Sequence, residues 1–317
     1  MQRILLIKTS SLGDVVHNLP VVSDLAAAFP GAVIDWVVEE VFKAIPQLHP
    51  RAGRVWPVAV RRWRRSWWDP KVWHEVREFR NELQAQTYDA VIDTQGLMKS
   101  AWIAAIANGV SHGLDWQSSR EPLAWFYDRT YRVPWAGHAV ERNRSLAAQA
   151  LGYKPASDPQ YGISASPQAF NCLPSSAYAV LLHATSAERK LWSEENWCEL
   201  GRVLAGSSIT SVLPWGNEAE RERSRRLAAR IPRAVVPDRF ELHAVAALLA
   251  GARVVVGTDT GLTHLAGALG VPTVGIYCAT DPAATGLYAC AQAANLGGIG
   301  KPPSPMTVIN AVRDFME

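Results

Sequence analysis

The chain has 317 residues, 48% of them hydrophobic and 19% charged, which excludes a disordered chain and leaves room for two domains with cores of their own. Its net charge of +3 is too small to mark the whole molecule for a polyanion. No uncharged apolar run reaches the roughly 18 residues that argue for a membrane-spanning helix, so none is expected.

The chain opens MQRILLIKTSSLGD, whose apolar segment is too short for a signal peptide and leads directly into a strand–loop–helix pattern. Ile4 to Ile7 reads as a buried strand, Lys8 to Gly13 as a loop, and Asp14 onward as a helix carrying Val15, Val16, Leu19, Val22 and Ala26 on one face, with Pro20 as a point of kinking. Ile34 to Val38 is the second strand, so the first half opens as a doubly wound α/β domain. The loop KTSSLGD follows a strand's carboxyl end, where such sheets bind ligands, but it has neither the G-x-G-x-x-G of a dinucleotide fold nor the G-x-x-x-x-G-K-[ST] of a P-loop. Asp14 at its end fits a helix cap and a general base alike.

Residues 51–80 hold nine Lys/Arg against three acids, and an acidic partner is expected there. Trp63, Trp67, Trp68 and Trp73 interleave with this cluster, a pattern suited to a membrane interface. Tyr88 to Asp93 is another strand, followed by TQGLMKS and a helix. His112 to Pro122 reads as a polar loop bearing Arg120. A helix is expected to start near His138, with Glu141, Arg142 and Arg144 close to its beginning, where a solvated face is the plain alternative to an anion site.

Residues 152–176 are rich in Pro, Gly and Ser without a sustained period, and the boundary is placed there: a first domain over 1–155, a linker over 156–176, a second domain over 177–305 and a last helix over 306–317 with a route back to the first domain. The second half restarts with a strand from Ala177 to Leu182. Thr185, Ser186 and Lys190 after it form a suitable set for phosphate oxygens. The strand Ile209 to Leu213 is followed by a charged helix with Glu220 near its start, placed either for ribose hydroxyls or for local pairing. Arg253 to Tyr277 reads as strand, tight turn, amphipathic helix and parallel strand. Its turn sets Asp259, Thr260, Gly261 and His264 at a helix N-terminus, an arrangement that fits a bound diphosphate or an ordinary capped helix. The four cysteines, 172, 198, 278 and 290, lack zinc-ligand or C-x-x-C spacing, which suits reduced thiols, and no metal site is expected.

KTSSLGD at 8–14, DWVVEE at 35–40, RRWRR at 61–65, YDAVID-x-QGL-x-KS at 88–100, HGLDWQSSREP at 112–122, HAVER at 138–142, HAT at 183–185, LPWG at 213–216 and DTGLTH at 259–264 together resemble the bacterial lipopolysaccharide heptosyltransferases, in particular those that add the first heptose. Any one motif is weak, but nine in order along nearly the whole chain are specific. The resemblance implies a GT-B fold, two Rossmann-like domains with parallel sheets facing a central cleft. It implies inverting, metal-independent transfer of L-glycero-D-manno-heptose from ADP-heptose to the first Kdo of Kdo2-lipid A, with no cofactor. By the same likeness Asp14 is the catalytic base, and Thr185, Ser186, Lys190, Glu220, Asp259, Thr260, Gly261 and His264 bind the donor. Ser11, Gly13, Arg61, Arg62, Arg64, Arg65, Arg120, His138 and Arg142 bind the acceptor. A lipid acceptor further implies peripheral contact with the anionic cytoplasmic face of the bacterial inner membrane.

Two rival readings keep parts of this picture. A second-heptose enzyme or another GT-B sugar transferase would share the fold and change the acceptor. A nucleic-acid-binding module would use the basic, Trp-rich segment, but it leaves the second half's ligand set unexplained, and no nucleic-acid partner is expected.

Overall fold

The computed structural model describes residues 1–173, 177–185 and 187–316. The chain divides into two compact units, Met1–Gly162 and Ile163–Glu317, and the division falls inside the expected linker. The first unit holds six parallel strands: β1 (Arg3–Ile7), β2 (Val33–Glu39), β3 (Ala52–Val58), β4 (Thr87–Asp93), β5 (Asn108–Leu114) and β6 (Arg129–Tyr131), in the order β3-β2-β1-β4-β5-β6. The second repeats the plan with β7 (Tyr178–Leu182), β8 (Thr210–Val212), β9 (Ala234–Val235), β10 (Val254–Thr258), β11 (Thr273–Tyr277) and β12 (Ala293–Gly297), in the order β12-β11-β10-β7-β8-β9. Each unit starts at the middle of its sheet and winds outward in both directions. The strand order therefore reverses between β1 and β4 and between β7 and β10, and loops leaving those strands share the crevice where doubly wound sheets bind ligands.

The central strands are the continuous apolar runs of the sequence, because helices cover both faces of a parallel sheet. Ile4, Leu5, Leu6 and Ile7 are fully buried, as are Val254, Val255 and Val256. The outer strands carry weaker patterns. His112 to Leu114, expected as part of a loop, form the end of β5, where His112 is buried and shares a hydrogen bond with the Tyr131 hydroxyl at 2.9 Å. The polar character of that stretch reflects a strand with a polar partner at its end.

The first helix is also different from its expected form. It is two helices, Leu12–Val16 and Leu19–Ala28, broken at His17 and Asn18. Pro20 has no N–H to donate and its ring conflicts with a helical carbonyl four residues earlier, so a new helix starts with the proline in its first turn. The helix Ala139–Leu151 is fastened to Leu19–Ala28 by an ion pair that excludes water: Arg144 Nε and Nη2 reach the two Asp24 oxygens at 2.7 and 3.1 Å. Arg144, for which a solvated face was the plain expectation, is thus a core residue.

The last helix, Pro305–Asp314, buries Val308, Ile309 and Val312 in the second unit's core and packs on the Glu194–Gly206 helix of the same unit. Its apolar face is spent within its own half.

Candidate active site

In the first unit the loop after β1 is shaped from the neighbouring strand. Gln95, just past β4, accepts the N–H groups of Thr9 and Ser10 at 3.1 and 3.0 Å with its side-chain oxygen. Asp93 in turn accepts the N–H groups of Gln95 and Gly96 at 2.8 and 3.2 Å and the Tyr127 hydroxyl at 2.7 Å. Asp93 is wholly buried, and that burial raises its pKa despite the hydrogen bonds that oppose it. This frame fixes the path of the loop before any ligand arrives.

Asp14 sits in the first turn of Leu12–Val16. Its Oδ2 accepts both the N–H and the hydroxyl of Ser11 at 2.8 Å each, the reciprocal arrangement of a helix cap. Among the described residues its Oδ1 takes no hydrogen bond. One oxygen holds the carboxylate in place as a helix cap does, and the other stays open.

The surroundings of this carboxylate are cationic. Lys8 is buried, donating to the Thr94 carbonyl at 2.7 Å and to Asn143 Oδ1 at 3.3 Å. Its burial lowers the ammonium's pKa, against the pull of Asp14 and Asp93. Lys99 donates to the Ser10 hydroxyl, and it too is lowered, first by burial, then by Arg61 and Arg64, while Glu39 and Asp14 oppose the shift. Arg142 lies over the Trp135 ring, 3.8 Å from its centre, and Arg120 lies 5.5 Å from the same ring. Burial and then the charge of Arg120 lower the Arg142 pKa. Neither arginine has a carboxylate partner among the described residues. Two such cations side by side leave a field that an anion would relieve.

The other first-unit candidates differ in what they touch. His138 caps Ala139–Leu151 by accepting the Val140 N–H at 3.2 Å, and its ring meets His17 edge-on at 5.3 Å. The RRWRR run forms the exposed helix Val60–Arg65. There Arg61 lies toward Phe42, at 5.7 Å, and its N–H is held at 3.0 Å by the buried Glu39. Arg62 is committed to Glu40 at 3.2 Å and Glu75 at 2.9 Å, while Arg64 and Arg65 have no carboxylate partner among the described residues. The structure therefore gathers Asp14, Ser11, Gly13, Arg120 and Arg142 with Lys8 and Lys99 at the strand ends, sets Arg61 and Arg64 near Lys99, and turns Arg62 toward acids of its own.

The second unit carries a matching site at its own reversal of strand order. Asp259 follows β10, and the helix Gly261–Ala268 starts two residues later with Thr260 as its cap. Lys190, from the segment after β7, meets Asp259 Oδ2 at 2.6 Å, the Thr280 hydroxyl donates to the same oxygen at 2.8 Å, and His264 Nε2 lies 3.3 Å from Oδ1. Thr185 donates to the Asp259 carbonyl at 3.2 Å. Burial by itself would raise the Asp259 pKa, but hydrogen bonds from His264, Lys190 and Thr280 outweigh it and hold the carboxyl far below its ordinary range. Close packing explains the glycine before it: a Cβ on Gly257 would sit 2.1 Å from the Thr263 hydroxyl, which bonds the Thr258 carbonyl at 2.7 Å. Ser186 lies outside the described residues. Glu220 accepts the Gly216 N–H and the Asn217 side-chain amide, both at 2.8 Å, so here it serves the start of the Glu218–Ala228 helix.

The profile of glycosyltransferase family 9 (heptosyltransferase) matches residues 76–307. The chain belongs to glycosyltransferase family 9. It is 47% identical over 99% of its length to lipopolysaccharide heptosyltransferase 1 of Escherichia coli O18:K1:H7 (strain RS218 / NMEC), and covers 97% of that protein. Its fold superposes on the E. coli heptosyltransferase WaaC with ADP at a TM-score of 0.89, with 43% identity, 99% of this chain and 100% of that one covered. The same enzyme with ADP-2-deoxy-2-fluoro heptose gives 0.84 and 44%, covering 99% of each chain. The fold is GT-B, as the order of motifs implied.

The structure brings to the two sites three residues that the sequence left without roles: Lys8, Lys99 and Thr280. Each stands within six residues of a strand's carboxyl end, Lys8 after β1, Thr280 after β11 and Lys99 at the start of the helix after β4. Position after a strand was the available signal, but a lysine or threonine there looks like any surface residue until its partner across the sheet is known.

Proposed function

We propose that this member of family 9 transfers L-glycero-D-manno-heptose from ADP-heptose to the first Kdo of Kdo2-lipid A, with inversion. The observation that carries the reading is the pair of strand-end sites: a carboxylate with one open oxygen among cations in one unit, and a lysine, a histidine and a helix N-terminus together in the other. The relatives named lipopolysaccharide heptosyltransferase 1 support the same substrate pair.

In this reaction the acceptor hydroxyl oxygen forms a bond to the anomeric carbon as the bond from that carbon to the diphosphate breaks. Asp14 Oδ1 takes the hydroxyl proton, while Oδ2 stays anchored on Ser11. Negative charge grows on the departing ADP. Lys190, Thr185 and the N–H groups at Thr260 and Gly261 meet it, with His264 and Asp259 holding the lysine's surroundings, and Glu220 reaches the ribose only by giving up Gly216 and Asn217. Arg61, Arg64, Arg65, Arg120, Arg142 and His138, with Ser11 and Gly13 lining the loop, receive Kdo carboxylates and lipid A phosphates. Arg62 joins them only by giving up Glu40 and Glu75. The reading needs no cofactor and assigns the diphosphate's charge to protein groups, so EDTA should leave turnover in place.

The acceptor is a membrane lipid, and the reading places the protein on the cytoplasmic face of the inner membrane as a peripheral enzyme. Among the described residues no helix is long and apolar enough to cross a bilayer, and Trp67, Trp68 and Trp73 are more than half exposed beside the basic helix. The deciding experiment measures ADP release from ADP-heptose with Kdo2-lipid A, with an acceptor already carrying the first heptose, and with none. Release only with Kdo2-lipid A is expected. Release with the heptose-bearing acceptor alone would assign the chain to the second addition instead.

A further inference from the structure

Beside the first unit's site lies an apolar groove whose indole walls take no part in the transfer step above. It has a volume of about 680 Å³ and is walled by Trp63, Trp67, Trp73 and Trp102, with Arg64 and Lys99 among its lining residues. The walls come from three helices, Val60–Arg65, Pro70–Gln84 and Met98–Ile106. Trp67, Trp73 and Trp102 stay 63%, 60% and 37% exposed, a large apolar area for a folded surface to leave in water. The Trp73 indole N–H is satisfied by the Trp67 carbonyl at 2.7 Å and that of Trp63 by Glu75 at 2.9 Å, so these rings offer the groove carbon rather than donors.

We infer that this groove receives one fatty-acyl chain of the acceptor itself, and so sets how the acceptor's sugar is presented to Asp14. Three observations select that occupant. The volume falls within the range of small-ligand pockets, which suits a single chain rather than a helix or a bilayer face. Arg64 and Lys99 complement an anionic head on an apolar tail, and Arg64 has no carboxylate partner among the described residues. Lys99 also belongs to the catalytic loop's surroundings: its ammonium donates to Ser10, four residues before Asp14. One side chain thus lines the groove and touches the loop that carries Asp14, so a molecule with its sugar at Asp14 passes Lys99 to send a chain into the groove. The inference rests on the lipid acceptor proposed above and adds where its tail goes.

The test compares two acceptors with the same sugars and phosphates, one carrying acyl chains and one fully deacylated, on the wild-type protein and on Trp102→Ser and Val76→Phe, the second of which fills the groove. The wild type should use the acylated acceptor with a lower KM, and each variant should shrink that preference by roughly 10-fold, the equivalent of about 1.4 kcal/mol. A diazirine placed in the acyl chain should crosslink within residues 60–76 and 98–102. A preference that survives both substitutions, or crosslinks that fall elsewhere, would overturn the inference. Failure of both acceptors with the wild type would instead remove the proposed function, while binding of both variants to anionic vesicles as tightly as the wild type separates the groove from membrane contact.

Discussion

The two units wind their sheets in the same order and put loops at the same places, yet they handle charge in opposite ways. The first leaves an excess of cations, with Lys8, Lys99, Arg120 and Arg142 around Asp14, whose neighbours Asp93 and Glu39 offset only part of that charge. The second closes its circuit, with Asp259 bonded to Lys190, Thr280 and His264. Topology fixes where a doubly wound domain binds. What it binds there follows from how many charges the fold leaves unpaired.

That contrast is sharpest in two substitutions. Asp14→Ala should lower kcat by about 10²–10⁴-fold with little change in donor affinity, since general-base assistance is lost and the donor's contacts lie elsewhere. Lys190→Ala should act the other way, raising the donor's Kd by roughly 10- to 100-fold through loss of a charge-assisted hydrogen bond of about 1.5–3 kcal/mol. Steady-state kinetics with isothermal titration of ADP reads both, and a reversed pattern would break the division of labour between the units.

Acid stability offers a smaller effect that reaches both units. Burial, reinforced by Arg51, lowers His49 of the first to about 4, and burial, reinforced by Arg223, lowers His183 of the second to about 3. Each folded histidine binds a proton less readily than in the unfolded chain, so stability is complete above about pH 6.5 and is lost as pH falls toward those values. At pH 5 the loss should be on the order of 2 kcal/mol for each. Melting curves from pH 7.5 to 5 should fall steadily, and His49→Gln should flatten the part due to the first unit; a melting temperature constant over that range would contradict the linkage. Smallest of all is Arg62→Ala. Its pairs with Glu40 and Glu75 are solvent-exposed and worth about 0–1 kcal/mol, so stability should hardly move, and acceptor KM should change less than in Arg64→Ala.

Much of the fold was legible because its central strands are buried on both faces. The runs at 4–7, 90–92 and 254–256 are apolar without interruption, and no other element tolerates that pattern so well. The edges were harder: β3, β6, β9 and β12 are short or half-polar, and the end of β5 looked like a loop because His112 there is polar and pairs with the Tyr131 hydroxyl. At the site, Asp14 and the turn from Asp259 to Gly261 stand out by position after strands. Lys8 and Thr280 do not, since their importance lies in partners 86 and 21 residues away in sequence, Thr94 and Asp259. Arg144 shows the same limit from the other side: its helix position suggested water, and only the approach of Asp24 across 120 residues makes it a core cation.

The bond between Lys190 and Asp259 has a consequence for turnover on the proposed reading. A partly buried ammonium without a counter-ion would hold any diphosphate tightly and give it up slowly. With its own carboxylate 2.6 Å away, Lys190 is never left bare: the nucleotide arrives by displacing an internal anion and leaves by being displaced in turn. The site then works as an ion exchanger, and the spent nucleotide departs against a resident competitor that is always at hand.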